Sequence, residues 1–497
     1  MLLLGYDVGT SSIKACLMEA DTGKVLATET SPKVEMEIIA RQSGWAEQQP
    51  EVWWEHVQAA TAGLGAKSPV PLHEVGAIGL SYQMHGLVCV DKNRRVLRPS
   101  IIWCDSRAVE IGRRAAEEIG PAYCLENFLN YPGNFTASKL RWVQQNESDL
   151  YQQIYKIMLP GDYIAMQMTG EITTTASGLS EGILWDFRCQ QPAAKILEYY
   201  DISPVLLPAL VPTFSPQGRL SREAAEALGL KSGVPVCYRG GDQPNNALSL
   251  KVLNPGEVAT TAGTSGVVAA VTDTLSYDSQ SRVNTFVHVN HTPQQMRNIV
   301  LLCVNGTGVL NSWLKHHFMG NGPAEVSYQH MNELAAQAPV GSDGLVMLPY
   351  GNGAERLLGN RDISASVHGW NFNVHTRSHF LRAAQEGIVF ALNYGFDILR
   401  KMGIEVKVAR AGDANLFLSP LFGKAFATVT GASVELYNTD GSQGAARGAG
   451  IGAEIYKTPG EAFIGLQSTR VVEPDSKLAA AYEAAYQNWI QTLERQL

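Results

Sequence analysis

The amino-acid sequence predicts an α/β protein made of two related domains. Predicted strands alternate with helices, and a Gly-Thr-Ser turn between two apolar strands occurs twice, in residues 7–12 and 261–266. The 497 residues also exceed what one hydrophobic core usually serves. We therefore expect an internal duplication, with the domain boundary near residues 250–255.

The predicted elements follow the spacing of apolar residues in each half. In the first half, strands are expected over 2–6, 13–18, 24–29, 75–80, 86–90 and 234–238, and helices over 51–64, 108–118 and 139–146. In the second half, strands are expected over 257–261 and 267–271, and a long helix over 378–402. A segment rich in Gly and Ala occupies 441–452.

Composition excludes several classes of partner. The net charge is −8 and no basic run is long enough for a nucleic-acid or membrane surface. No stretch approaches the roughly 20 apolar residues of a membrane span. The apolar start is too short for a secretory leader, which favours a buried strand. None of the seven cysteines falls in a CxxC pair, as expected for reduced thiols in the cytoplasm.

The two Gly-Thr-Ser turns are candidates for phosphate binding. Such a turn offers converging backbone N–H groups and hydroxyls without steric blockage. One turn alone is equally typical of an ordinary hairpin, but two in equivalent positions favour a nucleotide bound between them. The sequence contains no GxxxxGK[ST] motif and no GxGxxG after the first strand, which disfavours P-loop and Rossmann sites.

Two aspartates and one loop are candidates for the chemistry. Asp7 ends the first strand, where it fits either a turn-forming residue or a carboxylate beside Mg²⁺. Asp242 follows two glycines at a strand end, where it fits either a helix cap or a base that accepts the proton of a hydroxyl. The loop Gln83-Met84-His85 offers an amide, a thioether and an imidazole, which suit a sugar, although an ordinary loop is the alternative. No HExxH or clustered His/Cys pattern indicates a structural transition metal.

Several segments together resemble the FGGY carbohydrate kinases, which share the actin/hexokinase/Hsp70-type ATPase fold. The segments that carry the resemblance are 5–12, 44–54, 83–86, 97–107, 159–163, 168–171, 240–243 and 263–266. The resemblance implies two ribonuclease H-like domains with an interdomain cleft. Residues 1–252 would form the sugar-binding domain, and residues 253–497 the nucleotide-binding domain.

The resemblance also implies roles for individual residues. Asp242 would be the catalytic base, and Asp7 would lie beside Mg²⁺ and the γ-phosphate of ATP. The sugar-binding residues would be Gln83, Met84, His85, Trp103 and Gln243. The nucleotide-binding residues would be Thr10, Ser11, Ser12, Gly263, Thr264, Ser265, Gly412 and Asn415.

The implied reaction is ATP-dependent phosphorylation of a pentulose, with D-xylulose placed before ribulose, gluconate or another polyol. A catalytically silent sugar- or nucleotide-binding regulator is the alternative from a different class. Its motivation is residues 410–415, where Arg-Ala-Gly-Asp-Ala-Asn replaces the usual three glycines and alanine. There Asp413 places a negative charge near the expected nucleotide, and Pro244 is a second departure. The expected partners are a small-molecule sugar and ATP, with a homodimer left open.

Overall fold

The computed structural model describes residues 1–319 and 326–497, in which strands and helices alternate along the chain. The strands are β1 (Leu2–Val8), β2 (Ile13–Glu19), β3 (Val25–Ser31), β4 (Glu47–Gln48), β5 (Val75–Tyr82), β6 (Val88–Val90), β7 (Ser100–Ile101), β8 (Lys156–Met158), β9 (Thr173–Thr174), β10 (Trp185–Asp186), β11 (Gln191–Pro192), β12 (Ala209–Leu210), β13 (Val236–Gly241), β14 (Glu257–Ala262), β15 (Gly266–Thr272), β16 (Asn284–Val287), β17 (Asn298–Val304), β18 (Val346–Pro349), β19 (Ala365–His368), β20 (Val408–Gly412), β21 (Ser433–Tyr437) and β22 (Ser468–Val472). The α-helices are α1 (Pro50–Lys67), α2 (Val109–Ile119), α3 (Pro121–Asn127), α4 (Thr136–Asn146), α5 (Ser148–Tyr151), α6 (Pro160–Thr169), α7 (Ala176–Glu181), α8 (Ala194–Tyr200), α9 (Arg222–Leu228), α10 (Asp242–Ser249), α11 (Thr307–Trp313), α12 (Tyr328–Ala335), α13 (Arg377–Lys401), α14 (Pro420–Thr430), α15 (Gly441–Gly452) and α16 (Ala479–Glu494).

The predicted elements coincide with structural ones, with shifts of a few residues at their ends. The α/β class is confirmed, and the long predicted helix is α13. The strand predicted from residue 86 begins only at Val88, because residues 83–86 form a loop. Helix α1 shows why the pattern was informative: Trp53, Val57 and Leu64 recur at helical spacing and are fully buried.

The two large sheets repeat one order of strand pairing. The first sheet has the order β3-β2-β1-β5-β13, and the second contains β17-β15-β14-β20-β21, flanked by β16 and β22. In both, the first two pairings are antiparallel and the next two are parallel. The turn after β1 and the turn after β14 therefore hold equivalent positions, as an internal duplication requires.

Helix α15 comes from the second half of the chain but packs on the first sheet, against β1, β5 and β13. The approach is close. A Cβ on Gly5 would lie 2.0 Å from the Ser442 carbonyl oxygen, and one on Gly79 would lie 2.0 Å from that of Ala445. Helix α10 packs beside α15. A boundary between residues 252 and 253 thus divides the chain between the two sheets. Helix α15, however, lies after this boundary and covers the sheet that precedes it. The domain boundary stays a prediction.

None of the helices in the described ranges combines the length and apolarity needed to cross a bilayer. The seven cysteines are all free thiols. The core is divided among several apolar clusters, of which one lies around the second sheet and another around the first. The candidate site lies outside these clusters, at the ends of the strands near α10 and α15.

Candidate active site

Asp7 is the last residue but one of β1, where it pairs with Lys14 on β2 and Ser81 on β5. The Ser81 hydroxyl on neighbouring β5 donates a 2.8 Å hydrogen bond to Asp7 Oδ1. Burial raises the pKa of Asp7, and the Ser81 bond and the charge of Lys14 oppose the rise. Gly441, the first residue of α15, stands so close that a Cβ there would lie 2.5 Å from Asp7 Oδ2. The amino end of α15 thus faces this carboxylate.

Asp242 is the first residue of α10, and Gly241 before it is the N-cap. Its carboxylate therefore does not cap the helix, and the capping alternative from the sequence is not what the structure has. Burial raises the pKa of Asp242 to about 7, and the negative charge of Asp7 adds to the rise. Hydrogen bonds from the backbone and side chain of Gln243 oppose it. A carboxylate with a pKa near neutrality is suited to accept a proton at physiological pH.

The loop of residues 83–86 packs against Gly241, the last residue of β13, which directly precedes Asp242. Met84 is buried, and a Cβ on Gly241 would lie 2.6 Å from its Cγ. Gln83 donates its backbone N–H to the Val8 carbonyl at 2.9 Å. The loop therefore bridges the ends of β1 and β13, and it brings the predicted sugar residues beside both aspartates.

Thr10, in the first turn, is tied to the sugar residues. Its hydroxyl donates to Gln83 Oε1 at 3.1 Å and accepts from the indole N–H of Trp103 at 2.9 Å. Its carbonyl accepts from Gln48 Nε2 at 2.8 Å, and Gln48 Oε1 in turn accepts from Gln83 Nε2 at 3.1 Å. Trp103 is 48% exposed and so remains available to a ligand. Sequence reasoning missed Gln48, although it lies inside the family-like segment 44–54.

Ser11 is exposed and Ser12 half-buried in the same turn, where Gly9 N–H donates to the Ser12 carbonyl at 3.1 Å. The first turn thus presents two serines that are at least partly exposed, while Thr10 bonds to Gln83 of the sugar loop. The prediction that all three contact the nucleotide stays a prediction.

His85 is held by residues that sequence reasoning missed. Its backbone has φ of +61°, the left-handed region that costs a non-glycine residue free energy. Its N–H donates to Glu181 Oε2 at 3.1 Å, and Lys139 Nζ donates to its carbonyl at 2.8 Å. Burial, and the nearby charges of Lys139 and Arg356, lower the pKa of His85 to about 3. The only sequence signal for Glu181 and Lys139 was a charge close to apolar residues.

The second turn opens into a cavity of about 640 Å³. Gly263, Thr264 and Asn415 line it, together with Trp313 and His317. Thr307 and Gly308 clamp the turn by donating hydrogen bonds to the Gly263 carbonyl at 3.0 and 2.8 Å. Ser265 and Gly412 are not among the lining residues. The predicted nucleotide residues thus divide: three meet in this cavity, and the others lie outside its lining.

The carboxylate of Asp413 has partners within the protein. Its carboxylate accepts a 2.8 Å hydrogen bond from the Thr469 hydroxyl and lies 3.4 Å from Arg470 Nη2. The Arg470 side chain also donates to the Phe417 carbonyl. Residues of β22 therefore balance the negative charge that the unusual segment 410–415 introduces. That charge no longer argues for a catalytically silent regulator.

The residues at the end of β1 fit a magnesium ion. No cluster of three or more His, Cys, Asp and Glu side chains forms a metal cage within residues 1–319 and 326–497. Mg²⁺ does not need one, because it keeps several waters and takes one or two carboxylates together with substrate phosphates. Asp7, fixed by Ser81 and close to the first turn, supplies such a carboxylate.

Solved carbohydrate kinases share this fold over the whole chain. A crystal structure described as that of a xyloylose kinase from Brucella ovis superposes with a TM-score of 0.88 at 28% identity, covering 100% of this chain and 99% of that one. A gluconate kinase from Lactobacillus acidophilus gives the same TM-score at 21% identity, covering 99% and 98%. At that identity only the fold is informative. The fold is that of the actin/hexokinase-type sugar kinases, as the sequence predicted.

Sequence similarity identifies the family within that fold. Residues 2–249 match the N-terminal domain of the FGGY family of carbohydrate kinases. The protein named xylulose kinase from Escherichia coli strain K12 is 30% identical over 489 residues, which cover 97% of this chain and 96% of that protein. The chain belongs to the FGGY family of carbohydrate kinases.

Proposed function

We propose that this enzyme transfers the γ-phosphoryl group of ATP to a hydroxyl of a pentulose, and that D-xylulose is its best acceptor. The observation that carries the proposal is the Asp242 carboxylate, with a pKa of about 7, beside the loop of Gln83, Met84 and His85. The name of the Escherichia coli relative supports the choice of D-xylulose.

The proposed reaction follows from the placement of the groups. Asp242 accepts the proton of the attacking sugar hydroxyl while the oxygen of that hydroxyl forms a bond to the γ-phosphorus. The bond from that phosphorus to the bridging oxygen breaks, and ADP leaves with the electron pair. When bound at Asp7, Mg²⁺ would neutralise charge on the phosphates. Met84 offers an apolar wall to the sugar, and Gln83 and His85 offer hydrogen bonds.

The two halves of the chain divide the substrates in this proposal. Residues 1–252 hold the sugar, and residues 253–497 hold the nucleotide in the cavity beside Gly263, Thr264 and Asn415. Closure of one half on the other would exclude water, which otherwise competes as the acceptor. A location in the cytoplasm, where ATP is supplied, belongs to the same proposal.

A coupled assay of ADP release tests the proposal on a panel of D-xylulose, D-ribulose, D-gluconate and glycerol. We expect the highest kcat/KM for D-xylulose, and loss of turnover with every acceptor in Asp242→Asn. A higher kcat/KM on another acceptor would replace the substrate. Sugar binding without ADP release on any acceptor would instead favour a binding protein.

A further inference from the structure

His85 forms hydrogen bonds through its backbone N–H, its backbone carbonyl and its ring. Its N–H donates to the carboxylate of Glu181 at 3.1 Å, and its carbonyl accepts from Lys139 Nζ at 2.8 Å. Its ring Nδ1 lies 2.9 Å from the backbone carbonyl of Glu181. Phe135 and Phe286 pack against the ring, with centroids 4.8 and 5.3 Å away. These contacts hold a residue whose left-handed backbone costs free energy.

The third contact decides the tautomer of the imidazole. A backbone carbonyl can only accept, so Nδ1 must carry the proton. In a neutral ring Nε2 is then bare and can only accept a hydrogen bond. Burial and the charges of Lys139 and Arg356 lower the pKa of the ring, which agrees with a neutral imidazole.

The bare nitrogen is left for a ligand. No hydrogen bond from the described residues reaches Nε2 of His85, and it is not among their buried polar atoms without a partner. The side chain retains 17% exposure although the ring is packed on two phenyl groups. An accessible acceptor therefore remains at the edge of the loop that also carries Met84.

Lys139 is the unusual partner. Its side chain is fully buried, and its amine donates to two carbonyls, of His85 at 2.8 Å and of Ile102 at 3.0 Å. No carboxylate of the described residues lies within ion-pair distance of it. Burial lowers its pKa to about 7, opposed chiefly by Asp105. Both forms of the amine keep at least two N–H donors, so both can hold the two carbonyls.

A buried amine without an ion-pair partner is destabilising, so its presence calls for a role at its position. The two carbonyls belong to the loop of residues 83–86 and to the segment just before Trp103. Lys139 thus joins the two loops that carry four of the five predicted sugar residues, Gln243 being on α10. Glu181 completes the arrangement from the other side, held by the Tyr82 hydroxyl, which donates to its Oε1 at 2.7 Å.

We propose that Lys139 and Glu181 are positioning residues that lock His85 in its left-handed conformation and present its Nε2 as a hydrogen-bond acceptor to one hydroxyl of the sugar. The ligand must then offer an O–H donor at that point. The inference rests on the proposed function for the identity of the ligand, but not for the tautomer.

The tautomer is tested on the full-length protein labelled with ¹⁵N-histidine, without any ligand. The resonances of His85 are those that disappear in His85→Gln. We expect a protonated Nδ1 and a bare Nε2, with the Nε2 resonance shifting when D-xylulose is added. A protonated Nε2, or an imidazolium at pH 7, would overturn the lock.

The positioning role is tested by steady-state kinetics of Lys139→Met and Glu181→Gln. Lys139→Met removes the N–H donors to both carbonyls, and Glu181→Gln replaces one of the two accepting oxygens with an NH2 group, so KM for the sugar should rise about ten- to hundredfold. The KM for ATP should stay within about twofold, which a general loss of structure would not allow. Lys139→Gln keeps an NH2 group on a shorter side chain and should give an intermediate KM for the sugar.

Glu386→Gln is the matched control. Glu386 is equally buried, carries a raised pKa and bonds to Arg382 on α13, away from both sugar loops. It should leave the KM for the sugar unchanged. An unchanged sugar KM in Lys139→Met and Glu181→Gln would overturn the positioning role. If the wild-type enzyme turned over no sugar, the proposed function would fail, while the tautomer measurement would still decide the lock.

Discussion

Replacing the base is expected to make the protein more stable while making it inactive. Burial moves the pKa of Asp242 from its ordinary value near 4 to about 7. Ionisation of Asp242 is therefore less favourable in the folded state than in the unfolded state. As a result, the free energy of unfolding decreases as the pH rises from about 4 to about 7. Asp242→Asn carries no ionisable group at this position, so its free energy of unfolding does not decrease in this way.

The size of the effect follows from the pKa. At about 1.4 kcal/mol per pH unit, a change of about three units corresponds to about 4 kcal/mol above pH 7. The carboxylate is partly exposed, so solvent screening reduces this to about 2 kcal/mol. We expect Asp242→Asn to raise the free energy of unfolding by about 2 kcal/mol at pH 8, and by less than half of that at pH 5.

Urea unfolding without ligands at the two pH values measures this difference, and the kcat of the same preparation should fall by at least about a hundredfold. Asp273→Asn, which changes an exposed carboxylate, should give little difference between the two pH values. Equal effects of Asp242→Asn at pH 5 and pH 8, or destabilisation at pH 8, would refute the reasoning that this half-buried carboxylate opposes folding when it is ionised.

Two further predictions concern the proposed base and the second turn. Because the base form of Asp242 is active, kcat/KM for the sugar at saturating MgATP should rise about tenfold from pH 6 to pH 8, with an apparent pKa near 7; a fall over this interval would contradict the base role. Gly308→Ala places a Cβ 2.3 Å from the Gly263 carbonyl oxygen, so it should displace the turn and raise the KM for ATP about ten- to hundredfold. Gly423→Ala, where a Cβ meets only Val472 at 3.7 Å, is the control that should leave this KM unchanged.

The hairpins could be predicted from sequence because their information is local. Apolar strands that flank a Gly-Thr-Ser turn are contiguous, and both hairpins formed where the pattern placed them. Asp242 could be assigned only as a cap or a base from its neighbours along the chain. The structure removes the cap, because Gly241 occupies the cap position, while the base role stays a prediction.

The support of the sugar loop could not be predicted, because it depends on residues far apart in sequence. Glu181 reaches His85 across 96 positions, and Lys139 across 54. Neither carries a motif, and charged residues close to apolar ones have many causes. The partner of Asp413 was equally hidden, since β22 contributes Thr469 and Arg470 from beyond residue 460.

Helix α15 has a consequence for how the chain must be made. The face of the first sheet that it covers, which includes Gly5 and Gly79, stays open until residue 452 has been synthesised. About 200 residues separate the end of the first half from that point, which corresponds to about 10–40 s of translation. During this time the nascent first half exposes an apolar surface, so its final closure is a late, long-range event in folding. The same helix brings its amino end to Asp7, so the site at the end of β1 is assembled only when nearly the whole chain is present.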